Sequence, residues 1–258
     1  MEYIAEKLIF IAGGVGPMAC VELHKRVIEN TRTDGTDQSH LEVYHFSRSH
    51  DINDRTKYLL EKNCENPACG MARTFEIAYE SIEKSGKQAV AGIPCNTFHS
   101  PEIYSLFLNL LKEKKVNIKV LNMIEETGNM IRKEYPEIRT IGLMSTTGTR
   151  KTMIYNQILG KDYNIVEVPD SMQDSLHDSI YNKEWGIKAK FPVTEKARRN
   201  FESYAKTLKE EGVEAIILGC TEIPLALPEK KLFDIPLIDP MTARARAIVS
   251  EANPEKLR

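Results

Sequence analysis

Two cysteines stand in similar settings, each after a run of apolar residues. Cys95 follows such a run in "AGIPCNTFHSP", and Cys220 follows another in "ILGCTEIPLA". Polar residues come next in both places, Asn96–Thr97 in the first and Thr221–Glu222 in the second. Apolar runs of this length predict buried strands, so both thiols should lie at strand ends and before helices. Backbone N–H groups at a helix start favour a thiolate.

A pair of thiols suits one particular reaction, the inversion of a carbon acid. One thiolate removes a proton from one face of the carbon, and the other thiol delivers a proton to the opposite face. The alternative is that each cysteine is a small apolar residue of the core. The remaining cysteines, Cys20, Cys64 and Cys69, lack the strand-end setting and are interpreted as structural.

Composition excludes several other classes of protein. A net charge of -2 over 258 residues argues against nucleic acid or an anionic membrane as the main partner. The odd number of cysteines and the lack of a C-x-x-C pair argue against a disulfide scaffold or a structural zinc site. The segment "MEYIAEKLIFIAGG" is a poor signal peptide and is too short to span a bilayer. We therefore expect a cytoplasmic protein.

Short apolar runs alternate with amphipathic stretches along the chain, which predicts parallel sheets with helices on both faces, an α/β fold. The predicted strands are Lys7–Ala12, Leu41–Phe46, Gln88–Pro94, Ile118–Leu121, Arg139–Met144, Tyr163–Glu167, Ala215–Leu218 and Pro236–Ile238. The predicted helices are Met18–Asn30, Pro67–Lys84, Glu102–Lys114, Glu125–Glu134, Thr149–Leu159, Ser171–Asn182, Thr194–Glu211 and Met241–Ala252. Ligands of such sheets bind beyond the carboxyl ends of the strands.

The strand pattern restarts once, at "TIGLMSTTGT", which indicates two halves. We expect a first domain of residues 1–128 completed by residues 236–258, and a second domain of residues 129–235.

Four motifs carry a resemblance to a known family. "GGVGPMA", "DRT", "IPCNT.H" and "LGCTEIPL" together resemble the cofactor-independent aspartate/glutamate racemase superfamily, with aspartate racemases as the nearest branch. The resemblance implies two similar Rossmann-like (flavodoxin-like) domains with the active site in the cleft between them, and neither pyridoxal phosphate nor metal. Its two catalytic cysteines match Cys95 and Cys220. Members are often dimers, so a homodimer is expected.

The resemblance also implies a substrate class. Glutamate racemases usually carry His where this chain has Glu222, so "GCTE" favours the aspartate branch. In that branch an Arg in a "P-D-R-T"-like motif and a Lys after an "I-Y" motif bind the distal carboxylate. Here these match Arg55 in "INDRT", where Asn replaces the Pro, and Lys188 in "SIYNKEWGIKAKF", with Lys190 as the second choice. Arg suits the task because it can make two parallel hydrogen bonds to a carboxylate.

Two turns should flank the substrate. In the family, the loops that match "GGVGP" and "STTGT" do so, which selects Gly14, Thr146 and Thr149. Glycine allows close approach of the backbone, and exposed N–H groups bind anions. The α-carboxylate is expected on donors of three further residues, Asn96, Thr97 and Thr221. From the glutamate racemases, the N-terminal thiol is expected to face the D enantiomer.

Three alternatives remain. "GGVGPMA" also satisfies G-x-G-x-x-A, but the second strand ends without the acidic residue of an NAD site, and the fingerprint leaves both cysteines unexplained. Relatives with other reactions include hydantoin racemases, maleate isomerases and arylmalonate decarboxylases. A non-catalytic binding module would tolerate loss of either thiol. His99 follows "CNTF" and is interpreted as tuning Cys95, capping or packing. The favoured hypothesis is an aspartate racemase without a cofactor.

Overall fold

The computed structural model describes residues 6–258, which form two compact units. The first unit runs through Glu126 and is completed by Met241–Arg258, and the second is Thr127–Pro240. The first five residues of the expected first domain lie outside the described residues.

The sheet of the first unit has four parallel strands in the order β2-β1-β3-β4. The strands are β1 (Leu8–Gly13), β2 (Val43–Ser47), β3 (Ala89–Gly92) and β4 (Lys119–Val120). Every residue of β1 is buried, because helices cover both faces of the sheet. Ile9 pairs with Val43 on one side and with Val90 on the other, which makes β1 a central strand.

Side chains of β1 alternate between two apolar clusters, as the period of a strand requires. Leu8 and Phe10 pack with the helices α3 (Pro67–Ser85) and α4 (Pro101–Glu113), whereas Ile9 and Ile11 pack with α1 (Pro17–Asn30) and α11 (Pro240–Ala252). The helices that include residues of this unit are α1 (Pro17–Asn30), α2 (Arg55–Glu61), α3 (Pro67–Ser85), α4 (Pro101–Glu113), α5 (Met123–Glu134) and α11 (Pro240–Ala252). Short 3-10 turns are Asp37–Ser39, Ser49–Asp51, Thr97–His99 and Pro254–Lys256.

The sheet of the second unit has five strands in the order β6-β5-β7-β9-β8. Its strands are β5 (Thr140–Ser145), β6 (Asn164–Glu167), β7 (Ala215–Gly219), β8 (Lys231–Leu232) and β9 (Ile235–Ile238). All pairings are parallel except that of β8 with β9. The remaining helices are α6 (Thr147–Thr152), α7 (Ile154–Leu159), α8 (Asp170–Tyr181), α9 (Glu195–Glu210) and α10 (Ile223–Ala226).

The α/β class and the parallel sheets are confirmed, and five details differ from expectation. Residues 236–240 lie in the second unit rather than the first, because β9 pairs with β7. The helix expected over Thr149–Leu159 is two helices, divided at Met153, whose backbone is left-handed with φ 50°. The edge strand β8 and the short helices α2 and α10 were missed.

No helix among residues 6–258 combines the length and the apolar composition needed to cross a bilayer.

Candidate active site

Cys95 lies in a tight turn after β3. In this turn the Cys95 N–H donates a hydrogen bond to the carbonyl of Ile93 at 2.9 Å. The 3-10 turn Thr97–His99 follows in the chain. Cys95 is 8% exposed, and the neighbouring Asn96 is buried. The glycine-rich turn that contains Gly14 follows β1. This strand is the neighbour of β3 in the sheet, since Ile11 of β1 pairs with Gly92 of β3. The two predicted segments of the first unit therefore leave neighbouring strand ends.

His99 holds this turn from the buried side. Its Nδ1 lies 2.8 Å from the carbonyl oxygen of Cys95, and its Nε2 lies 2.8 Å from Nη2 of Arg244. Burial, together with the positive charge of Arg244, holds the pKa of His99 well below its usual value. His99 is therefore neutral at physiological pH and acts here as a structural support of the turn.

Arg55 is buried at the start of α2. Asp54 caps this helix by accepting a hydrogen bond from Lys57 N–H at 2.7 Å. The Arg55 guanidinium donates from Nη2 to the carbonyl of Val15 at 3.1 Å and from Nη1 to that of Asn53 at 3.3 Å. Helix α2 also packs against the Thr97–His99 turn. Arg55 thus ties the glycine-rich turn to the part of the unit that carries Cys95.

Gly14 lies where the glycine-rich turn passes close to the backbone of Arg48. Its φ is 101°, a left-handed conformation that suits glycine. A Cβ at this position would lie 2.7 Å from the carbonyl carbon of Arg48. A structural reason for glycine is thus present in the chain itself, and the expected contact of Gly14 with a substrate stays a prediction.

Cys220 directly follows β7 and belongs to a hydrogen-bonded group in the second unit. Its Sγ donates to Oε2 of Glu222 at 3.2 Å, and Thr221 Oγ1 donates to the same oxygen at 2.9 Å. The other oxygen of Glu222 accepts from Lys188 Nζ at 2.5 Å. Cys220 is 6% exposed and Glu222 is 3% exposed. The structure therefore joins four predicted site residues directly.

The electrostatics of this group favour one set of protonation states. Burial and the negative charge of Glu222 raise the pKa of the Cys220 thiol far above its usual value. Burial opposes the charge of Glu222, but Lys188 outweighs it and lowers the pKa of that carboxyl. Burial likewise opposes the charge of Lys188, but Glu222 outweighs it and raises the pKa of the ammonium. A neutral thiol beside an ionised carboxylate–ammonium pair follows, not the thiolate expected from the strand-end position alone.

Lys188 was expected to contact the substrate, and in the structure it is already paired with Glu222. Its side chain is 21% exposed, whereas Lys190 is an exposed residue. The Lys188 ammonium also lies 5.5 Å from the centre of the Tyr181 ring, on which His177 stacks at 4.7 Å. His177 and Tyr181 were missed as neighbours of the site, although their i, i+4 spacing on α8 places them on one face of the helix.

Thr146 and Thr149 form the cap of α6. Thr146 Oγ1 accepts from Thr149 N–H at 3.2 Å, and Gln173 Nε2 braces the same turn by donating to the carbonyl of Ser145. Ser145 of β5 pairs with Gly219 of β7, so Thr146 and Cys220 are the residues that leave two adjacent strands. The contact of Thr146 with a substrate stays a prediction.

Within residues 6–258 no group of three or more His, Cys, Asp or Glu side chains has a metal-binding arrangement. The predicted site residues fall into two groups, one in each unit. Their thiols can act as acids and bases, and their cations and N–H donors suit the binding of a carboxylate. Cys95, Asn96, Thr97, Gly14 and Arg55 belong to the first unit. The second unit contributes Cys220, Thr221, Glu222, Lys188 and Thr146.

The chain is similar to several solved structures. An aspartate racemase from Picrophilus torridus is 28% identical, with a TM-score of 0.78 over 98% of this chain and 96% of the other. An aspartate racemase homologue from Pyrococcus horikoshii OT3 is 24% identical, with a TM-score of 0.64 over 96% and 99%. Glutamate racemase from Francisella tularensis, solved with D-glutamate, is 18% identical, with a TM-score of 0.62 over 97% and 82%.

The last two likenesses establish a shared fold of two Rossmann-like domains. A family model described as Asp/Glu/Hydantoin racemase matches residues 13–248, which include both cysteines and every other site residue named above. The chain belongs to the Asp/Glu/hydantoin racemase family.

Proposed function

We propose that this protein is a pyridoxal-phosphate-independent racemase that interconverts L- and D-aspartate by two-base proton transfer between Cys95 and Cys220. One observation carries the proposal, the equivalent position of the two thiols in the two sheets. Cys95 comes after β3, which lies beside β1, and Cys220 comes after β7, which lies beside β5. In each unit the neighbouring strand, β1 or β5, is followed by a turn of small residues. The turn is "GGVG" after β1 and "STTGT" at the end of β5.

Each step of the reaction conserves protons. The thiolate of one cysteine takes the α-proton, and the electron pair of the broken C–H bond moves toward the α-carboxylate. The thiol of the other cysteine then donates its proton to the opposite face of the same carbon. The enzyme ends with the two protonation states exchanged, and proton exchange with water restores them. N–H and hydroxyl donors of Asn96, Thr97 and Thr221 are assigned to the α-carboxylate, whose negative charge grows as the proton leaves.

Glu222 gives the Cys220 side a defined starting state. Because Cys220 is a thiol hydrogen-bonded to a carboxylate, it is ready to donate a proton to the substrate. In the reverse direction Cys220 must act as a base, in the thiolate state that it reaches when it has donated its proton to the substrate. We assign Cys95 to the D enantiomer, so that D-aspartate is deprotonated by Cys95 and reprotonated by Cys220.

Aspartate is the proposed substrate because two cations are available for its distal carboxylate. Arg55 offers a planar set of donors, and the Lys188 ammonium has three N–H groups, of which Glu222 takes one. Because asparagine and alanine lack a distal negative charge that could interact with these cations, they should be disfavoured by about 2–5 kcal/mol relative to aspartate. Glutamate, one methylene longer, should be disfavoured by about 1–3 kcal/mol.

The test is racemisation by dialysed, chelator-treated protein without added cofactor. L-aspartate, L-glutamate, L-asparagine and L-alanine are each supplied, and the D product is measured by chiral chromatography. We expect aspartate to be the best substrate. A tenfold or greater preference for glutamate would move the protein to the glutamate branch, and activity restored only by pyridoxal phosphate or metal would refute the proposed chemistry. A homodimer and a cytoplasmic location remain expectations, and light scattering tests the first.

A further inference from the structure

Arg244 is a buried cation whose charge is not balanced by any acidic side chain in contact with it. It lies on α11 with 0% exposure, against β3, where a Cβ on Gly92 would come within 3.2 Å of Nη1. Among residues 6–258 it forms no ion pair, and its Nε and Nη1 have no hydrogen-bond partner. Burial lowers the pKa of Arg244 to about 10, so the side chain remains charged at neutral pH. Burying a charge in this way is costly, and stability alone does not explain it.

Among the residues that the structure describes, Arg244 makes its single polar contact with His99, and the direction of this contact is unambiguous. A guanidinium has only N–H donors, so Nη2 must donate to Nε2 of His99 across 2.8 Å. The proton of the neutral imidazole must then sit on Nδ1. That N–H faces the carbonyl oxygen of Cys95 at 2.8 Å, and a carbonyl can only accept. Both contacts therefore require the same tautomer and the same orientation of the ring.

We propose that Arg244 is a positioning residue for Cys95, acting through His99. The guanidinium orients the imidazole, the imidazole holds the carbonyl of Cys95, and the turn that carries the thiol is thereby kept in one conformation. The inference rests on the proposed role of Cys95 as an acid–base group. It extends that role to a side chain that is far away from Cys95 in sequence.

The packing around His99 supports this role. The imidazole lies 4.9 Å from the ring of Tyr104, and Phe98 packs edge-on at 6.3 Å. Among the described residues, only Arg244 donates a hydrogen bond to Nε2 of His99. Removing the guanidinium therefore leaves that nitrogen without a hydrogen-bond donor. An imidazole that lacks one of its two hydrogen bonds is less tightly oriented, and a displacement of about 1 Å at a reacting group costs roughly 100-fold in rate.

A spectroscopic test reads the contact without any reference to activity. In full-length protein with ¹⁵N-labelled histidine, we expect the Nε2 resonance of His99 to show an acceptor of a charge-assisted hydrogen bond. Arg244→Met should move it to the position of a free, unprotonated ring nitrogen, whereas Arg244→Lys, which retains a cationic donor, should largely preserve it. An unchanged Nε2 resonance in Arg244→Met overturns the proposal.

Kinetics test the consequence for Cys95. We expect Arg244→Met to lower kcat about 10- to 100-fold with little change in KM, because the thiol and not the substrate clamp is displaced. Arg246→Met is the matched control, since Arg246 lies on the same helix and bonds to Asn30 and to the carbonyl of Arg258 instead. Normal kcat in Arg244→Met, or an equal loss in both variants, refutes the positioning role.

His99 variants keep the test decisive if Arg244→Met does not fold. His99→Asn retains a donor at the δ position for the carbonyl of Cys95, so it should keep more activity than His99→Leu. Equal activity of the two variants overturns the proposal. Cys95→Ala, assayed in parallel, separates the two levels. If that variant remains active, the proposed function fails, while the Nε2 resonance still reports on whether Arg244 orients His99.

Discussion

The two thiols occupy equivalent strand ends but are supported by different chemistry. Sγ of Cys220 donates to a carboxylate that is itself paired with a lysine. The support of Cys95 comes through its backbone carbonyl, which a neutral imidazole and a buried arginine hold in place. No hydrogen bond to Sγ of Cys95 comes from the described residues. The Cys220 thiol is therefore positioned mainly by its charged neighbour Glu222, whereas the Cys95 thiol is positioned mainly by the conformation of its turn.

The largest expected effect comes from removing either thiol. Inversion needs a donor and an acceptor on opposite faces, so Cys95→Ala and Cys220→Ala should each reduce racemisation about 100- to 10,000-fold. Circular dichroism should show a retained fold, and Cys64→Ala, which alters a thiol outside both groups, should be nearly neutral. Near-normal turnover by either folded variant would end the two-base proposal.

Arg55→Ala should give the next largest effect, a loss of about 2–5 kcal/mol in kcat/KM for aspartate. Because the guanidinium also donates to the carbonyls of Val15 and Asn53, the variant should be less stable as well. Arg55→Lys should restore activity only in part, since the planar pair of donors is lost. Steady-state kinetics and urea unfolding measure the two effects, with exposed Lys57→Ala on the same helix as the control. Full activity of Arg55→Ala would show that the carboxylate clamp lies elsewhere.

Glu222→Gln should change the pKa of Cys220 without affecting Cys95. The carboxylate raises the pKa of Cys220, so its removal should lower that pKa and move alkylation of Cys220 by iodoacetamide to lower pH. Mass spectrometry of the Cys220 peptide across a pH series measures the shift, and the alkylation profile of Cys95 in the same samples should stay in place. An unchanged profile for Cys220 would contradict the proposed coupling.

The same variant should lose about 3 kcal/mol of unfolding free energy, because Lys188 is left without its buried partner. Glu229→Gln is the matched control, since the side chains of its pair with Arg198 are 37% and 34% exposed, and this pair should contribute less than about 1 kcal/mol. The native pair contributes stability with a defined pH window. The lowered pKa of Glu222 means that the contribution is lost as pH falls through that pKa, and the raised pKa of Lys188 means that it is lost as pH rises through that value.

The smallest effect is expected at Lys190, whose side chain is exposed. Lys190→Ala should leave aspartate racemisation within about twofold, as for most surface substitutions. Lys188→Ala should lose activity far more strongly, because it removes a proposed substrate contact and leaves Glu222 unpaired. Parallel steady-state kinetics decide between the two lysines. A larger loss in Lys190→Ala would reverse the assignment.

Much of this fold could be predicted from the sequence because each strand is a continuous apolar run with two covered faces. β1 and β7 were found in this way. β8 was missed because a two-residue strand at a sheet edge carries no periodicity. The left-handed residue Met153, which divides two helices, gives no local signal, since non-glycine residues rarely adopt that conformation.

The site was predictable only in part, for a related reason. Cys95 and Cys220 could be found because their strand-end setting is local in sequence. The pairing of Lys188 with Glu222 joins residues 34 positions apart, and the contact of Arg244 with His99 spans 145 positions. Such partners depend on the tertiary arrangement, which no local pattern encodes. The raised pKa of Cys220 likewise follows from burial and from the Glu222 contact, and neither is visible in "GCTE" alone.

Hydrogen isotope exchange tests the central claim most directly. L-aspartate is incubated with the protein in deuterated water, and both enantiomers are isolated at early times and analysed by mass spectrometry. If two monoprotic thiols act on opposite faces, the D-aspartate formed should carry deuterium at the α-carbon, while the remaining L-aspartate should still carry protium. Transfer of the original proton into the product, or early deuterium in the remaining substrate at the same level as in the product, would contradict two-base transfer by Cys95 and Cys220.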